Sequence, residues 1–360
     1  MEVESTIYNA DNLGNVSLLV KPYSPISFIM SHSDSSQSES ENMDSPRSYQ
    51  CYGDERRKMD NKSDRLSALP DCLILHILSS FQMKDVIQTG VLSKRWRLLW
   101  TSTHNLCFSH SLESNCDVIE LIKSIDDTLI LSKPSKLNKF LVEFLYSNLF
   151  VYHDNKWMIF VTIKSVEVLE LNLMKMQGCE EGYSLQQLMY SNVCLRKLKL
   201  SNCNLVLMEG INWPVLRVLS MWYAKLSLEV VDAICSGCPR LESLKFYSDD
   251  NDDDDKELAI WARNVTSLEI SGCFHEKILV LQNVEALVDA KLYFRREFRT
   301  NQKMLNDLLA SLGHVEKFSI GPWCLKCLSE LLECSLAYIC TPSDAVLFDL
   351  FFYLVLDSIK

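Results

Sequence analysis

Two cysteine pairs with two residues between them, Cys235/Cys238 and Cys324/Cys327, are the best-spaced candidates for chemistry in this chain. Four thiolates can hold a structural zinc ion, and one Cys-x-x-Cys pair can cycle between thiol and disulfide. Neither chemistry has its usual context. The pairs lie 85 residues apart, far beyond zinc-ribbon spacing. Cys235 and Cys238 also flank an expected helix end, whereas reactive thiols owe their low pKa to a helix N-terminus. The acidic run at 249–255, DDNDDDD, matches a calcium loop in composition only, because the required glycine and the closing glutamate are absent in every register. It reads as an exposed insertion. The seven histidines show neither metal nor triad spacing, and no Walker, HExxH, GxSxG or dinucleotide motif occurs. The sequence therefore predicts a protein without an active site, metal or cofactor of its own.

Composition narrows the remaining classes. With 360 residues, two domains and some tail are expected. Hydrophobic content of 48% and charged content of 23% are those of a folded soluble chain. A net charge of −11 argues against nucleic-acid binding, which needs a positive surface. The small basic cluster of Lys94, Arg95 and Arg97 reads as a solvated helix face. The start of the chain lacks a secretory pattern, so the 14 cysteines are expected to be reduced, mostly buried thiols in the cytoplasm or nucleus. No run reaches the roughly 18 apolar residues of a membrane span. The nearest, 345–356, is short and interrupted by Asp349, so a buried terminal helix or strand is expected there.

The segment 64–104 carries more apolar surface than so short a stretch buries alone. Leu69-Pro70 opens a helix, with proline expected at its first position and Asp71 at the positive end of its dipole. Leu73, Ile74, Ile77 and Leu78 follow at i, i+3, i+4 spacing. A second helix is expected from about Lys84, with Val86, Ile87, Val91 and Leu92 apolar. Ser93 caps a third that carries Trp96, Leu98, Leu99 and Trp100.

Leu69-Pro70, the Ile-Leu-Ser-Ser turn at 77–80, Lys84-Asp85-Val86, and Val91-Leu92-Ser93-Lys94-Arg95-Trp96-Arg97 with Leu99-Trp100 resemble the F-box of plant F-box proteins with leucine-rich repeats. The resemblance implies docking on a Skp-type adaptor within a cullin-RING ubiquitin ligase, in which the F-box protein chooses the substrate. One departure stands out. The family often has Leu-Pro before the second helix, where this chain has Phe81-Gln82.

Further along, Leu195-x-x-Leu198-x-Leu200-x-x-Cys203-x-Leu205 fits the leucine-rich-repeat consensus at every defined position. The frame returns at Val166/Leu169/Leu171, Leu216/Leu219/Met221, Leu241/Leu244/Phe246, Val265/Leu268/Ile270 and Val315/Phe318/Ile320, with a degenerate copy at 284–294. The middle leucines from Leu169 to Leu268 are 29, 21, 25 and 24 residues apart, which is the repeat's period. Alternate apolar residues of each short strand point inward, and stacking builds a core that no single unit forms. Cys203 and Cys273 are expected inside. Leu226, Leu228, Val231 and Ile234 suit a convex-side helix ended by Gly237. Before this frame, Leu137, Phe140, Val142 and Phe144 suggest a strand, and 157–163 forms another apolar segment.

The fold expected is thus an α/β leucine-rich-repeat solenoid over 105–332, preceded by a three-helix F-box at 64–104 and a disordered, serine-rich tail at 1–63. Residues 314–332 are similar to the FBD-type end of related plant families, and 333–360 form an irregular apolar tail. The chain reads as a non-catalytic interaction protein. Leu69, Pro70, Ile77, Leu78, Val86, Leu92, Trp96 and Trp100 are the candidates for the adaptor dock, although several must hold the helices together, and sequence does not separate the two roles. For an unknown protein substrate, the outward strand positions Glu170, Lys199, Ser220, Lys245, Glu269 and Ser319 are the candidates, with Trp222, Tyr223 and Tyr247 beside them. A repeat scaffold or receptor outside any ligase is the alternative.

Overall fold

The computed structural model of the chain describes residues 66, 68–109, 117–175, 182–250, 257–274, 278–294, 302–321 and 324. The expected tails at 1–63 and 333–360, and most of the acidic insertion, lie outside them. All described residues fall within the compact unit Ser63–Lys360.

Three short helices open the described chain: α1 (Asp71–Leu78), α2 (Met83–Gln88) and α3 (Trp96–Leu99). 3-10 turns at Thr89–Val91 and Trp100–Ser102 extend the second and third. Pro70 is not the first helical residue, as the sequence suggests, but the residue before it. Its extended ψ of 149° sets the entry, and its carbonyl accepts from Leu73 N and Ile74 N. Ser93 does receive the Trp96 N–H, at 3.3 Å.

The rest of the described chain is built on one parallel sheet of nine strands in chain order: β1 (Asn105–Ser109), β2 (Lys139–Tyr146), β3 (Val168–Lys175), β5 (Lys197–Ser201), β7 (Val218–Trp222), β8 (Ser243–Asp250), β10 (Ser267–Phe274), β12 (Asp289–Phe294) and β13 (Lys317–Ile320). Two small parallel pairs, β4 (Tyr183–Ser184) with β6 (Cys203–Asn204) and β9 (Glu257–Trp261) with β11 (Ile278–Gln282), lie outside it. Four helices occupy the connections: α4 (Asp117–Leu131), α5 (Val151–Ile163), α6 (Leu228–Gly237) and α7 (Gln302–Ser311). The apolar segment at 157–163 is thus the second half of a helix.

Register explains the leucine frame. Leu106, Phe140, Leu169, Leu198, Leu219, Leu244, Leu268, Ala290 and Phe318 are paired strand to strand across the whole sheet. All but Phe318 are buried. A second inward row runs two residues later from Phe108 through Leu171, Leu200, Met221 and Phe246 to Leu292. The uneven sequence spacing therefore falls in the connections, and the strands stay in step. Just before the strands a second backbone ladder holds the turns: Glu167 O accepts from Arg196 N and Lys197 N, Arg196 O from Arg217 N and Val218 N, and Arg217 O from Glu242 N and Ser243 N.

Gly237 ends its helix as expected, and close packing adds a second demand for glycine there. It is the last residue of α6, and a Cβ there would lie 2.1 Å from Ile211 O, so close backbone approach requires glycine. Cys203 is fully buried, and its Sγ donates to Ser201 O at 3.4 Å. The side chain of Cys273 lies outside the described residues.

Candidate functional site

The apolar residues of the first three helices divide into two sets. Ile74, Leu78, Met83, Val86, Ile87, Trp96 and Trp100 are buried and form the core that joins the helices. Leu66, Pro70, Leu73, Ile77, Phe81, Val91, Leu92 and Leu98 are exposed, and Leu69 is half-buried. On α1 the division follows helix geometry: Pro70, Leu73 and Ile77 recur at i, i+3, i+7 on the outer face, and Ile74 and Leu78 at i, i+4 on the inner one. Val91 is 76% exposed although it sits amid apolar sequence. Solvent exposure of so many large apolar side chains within some thirty residues is the mark of an interaction surface.

Polar contacts fix the frame beneath that surface. Arg95 Nε donates to Asp71 Oδ1 at 2.8 Å, which ties the start of α1 to the approach to α3. Asn105 Nδ2 donates to Ser79 O at 3.1 Å and joins the helices to the first strand. Gln82 precedes α2 with φ −68° and ψ 147°, its side chain caps nothing, and its Oε1 is buried without a hydrogen-bond partner among the described residues. The departure at Gln82 thus preserves the turn's backbone and leaves a polar atom unsatisfied.

The eight adaptor candidates fall on both sides of the division. Pro70, Ile77 and Leu92 are exposed and Leu69 half-exposed, whereas Leu78, Val86, Trp96 and Trp100 are interior. Leu73, Phe81, Val91 and Leu98 are also exposed, although the sequence places them only on the helices or at the turn and not among the dock candidates.

The outward strand candidates form one continuous row. Glu170, Lys199, Ser220, Lys245 and Glu269 are successive register partners, continued by Lys291 and Ser319. Glu170 Oε1 lies 2.8 Å from Lys197 Nζ and 3.4 Å from Lys139 Nζ. Burial by itself raises the Glu170 carboxyl pKa, but the Lys197 hydrogen bond and the two lysine charges outweigh it and hold the group below its usual range. Lys245 Nζ lies 2.7 Å from Glu269 Oε2. In the next outward row Trp222 pairs with Tyr247, their rings stacked at 5.3 Å, and Tyr223 meets Tyr247 edge-on at 4.6 Å. Lys139 and Lys197, which clamp Glu170, come from a row two residues earlier on the same face and were not picked out.

The cysteine pair at 235/238 lacks thiolate character. Burial pushes the Cys235 thiol up and that of Cys238 up to about 12. Among the described residues no cluster of His, Cys, Asp or Glu has a metal-binding arrangement, and no helix is long and apolar enough to cross a membrane.

Comparison with known proteins agrees with this geometry. The F-box domain family matches residues 66–108. F-box/LRR-repeat protein 25 of Arabidopsis thaliana is 33% identical over 183 residues, covering 51% of this chain and 67% of that protein. The chain belongs to the plant F-box/LRR-repeat family. An FBD-associated F-box protein of the same plant is 32% identical over 64% of this chain and 48% of its own length. A second F-box/LRR-repeat protein is 30% identical over 76% and 63%. The chain thus spans about half to two thirds of these relatives. The match at 66–108 covers all three helices and all but the last residue of β1, so the exposed apolar face lies on the F-box.

Proposed function

We propose that this F-box/LRR-repeat protein is the substrate-recognition adaptor of an SCF-type cullin-RING ubiquitin ligase, working in the nucleus or cytoplasm. The exposed face of the F-box docks on a Skp-type adaptor. The nine-strand sheet is the concave wall of a leucine-rich-repeat solenoid, and its outward rows hold the substrate protein. Catalysis belongs to the partners.

The observation that carries this reading is the exposed apolar face itself: Pro70, Leu73, Ile77, Val91, Leu92 and Leu98 lie in solvent while Ile74, Leu78, Met83, Val86, Ile87, Trp96 and Trp100 are buried within the chain. A stable segment has no folding need for such a face, and burial against a partner helix removes its cost at about 25 cal/mol per Å² of apolar area. The test is co-expression of the full chain with a Skp-type adaptor and a cullin, followed by size-exclusion chromatography. Co-elution of all three supports the reading. A folded chain that elutes alone leaves a repeat scaffold outside any ligase.

A further inference from the structure

The outward face of the sheet is electrically uneven in a way that specifies its partner. Each acidic side chain of the central row is already neutralised, Glu170 by Lys197 and Lys139 and Glu269 by Lys245. Lys199 has no carboxylate partner among the described residues. Its register neighbour on β7 is Ser220, a short, buried side chain that carries no charge, and Lys199 itself is half-buried. Two residues beyond Ser220 on the same strand face, about 7 Å along the strand, begin the stacked rings of Trp222 and Tyr247.

Tyr223 adds an independent sign. One register position past the Trp222–Tyr247 pair the backbone turns left-handed in several strands, with φ 54° at Asn202, 55° at Tyr223 and 107° at Gly272. Asparagine and glycine adopt this conformation readily, but a bulky tyrosine does so under strain. Tyr223 is held there by its N–H donating to Tyr247 O at 2.8 Å and by ring contact, while 42% of its surface stays in solvent. A strained, exposed aromatic where glycine would be relaxed indicates a demand other than folding.

We infer that Lys199 and the Trp222–Tyr223–Tyr247 cluster form the docking patch for an extended acidic segment of the substrate protein. One carboxylate of that segment lies against Lys199, and an aromatic or proline side chain one or two residues away lies on the rings of Trp222 and Tyr223, with the buried Tyr247 packed against both. This rests on the substrate-holding role proposed above for the outward face. Tyrosine and tryptophan contribute large rigid contact area, and an unpaired lysine beside them selects for an acidic group.

The test is binding of the full chain, with and without a Skp-type adaptor, to an array of random-sequence peptides. Enrichment of Asp or Glu within two positions of Phe, Tyr, Trp or Pro is expected, together with inversion to Lys or Arg in a Lys199→Glu variant. Tyr223→Gly relieves the strain and is expected to melt no lower than wild type while losing at least about tenfold in peptide affinity. Absence of acidic enrichment, or enrichment unchanged by both variants, overturns the inference. Failure to bind the adaptor with peptide selectivity intact overturns only the ligase reading.

Discussion

Ile77 and Leu78 are consecutive on α1 and face opposite ways: Ile77 is 40% exposed and Leu78 is 1% exposed. Both belong to the same apolar run, but only Leu78 is bound to the fate of the fold. Leu78→Ala is expected to cost about 2–5 kcal/mol through lost burial and a residual cavity. Ile77→Ser is expected to leave stability within about 0.5 kcal/mol. Urea denaturation of the two variants checks the division, and equal losses would contradict it.

Gln82 offers a stabilising substitution. Its φ of −68° is that of proline, and no backbone hydrogen bond from Gln82 N occurs among the described residues. Gln82→Pro also removes the buried, unpartnered Oε1. A gain of about 0.4–1 kcal/mol is expected from restriction of the unfolded chain alone. A lower melting temperature in the variant would show that the turn needs the glutamine.

Asp154 on α5 is buried, close enough to Tyr183 and Cys203 to act on both, and its Oδ2 lacks a hydrogen-bond partner among the described residues. Desolvation pushes its carboxyl up to about 7. The folded chain then holds a proton that the unfolded chain releases near pH 4. Its contribution is fully present below that pH and is lost as pH rises through about 7, by up to roughly 1.4 kcal/mol per pH unit within that window. Asp154→Asn is expected to flatten this part of the stability–pH curve and to exceed wild type above pH 7. Parallel curves for the two proteins would refute the assignment.

Thiol labelling separates structural from reactive cysteines. Cys72 is exposed, whereas Cys203 and Cys238 are buried with thiols pushed far above neutral pH. In the folded chain a maleimide is expected to label Cys72 well before Cys203 or Cys238, as read by peptide mass mapping. Rapid labelling of Cys238 would reopen a redox or metal role for the 235/238 pair.

Much of this architecture was legible because both of its signals are local. The leucine frame from Leu169 to Leu268 fixes the inward rows, since side-chain alternation in a strand ties burial to sequence parity. Glu170, Lys199 and Lys245 follow as their outward neighbours. What stayed hidden depends on packing between distant residues. Nothing in the sequence states that Trp96 and Trp100 face inward while Leu98 between them faces solvent, because a four-residue helix has too few turns for a periodic signal. The first strand, NLCFS, lacks the leucine frame and gains its place through pairing with β2. The left-handed backbone at Tyr223 was likewise unreadable, because tyrosine is not a residue that announces it.

Affinity for a purified Skp-type adaptor reads the docking of the F-box face itself. The full chain is compared with a Leu73→Asp, Ile77→Asp double variant, whose positions lie on the solvent side of α1. The prediction is tight binding by wild type and at least about a hundredfold loss in the variant, with the melting temperature unchanged. Equal affinity of the two proteins, or no binding by folded wild type, would contradict the account.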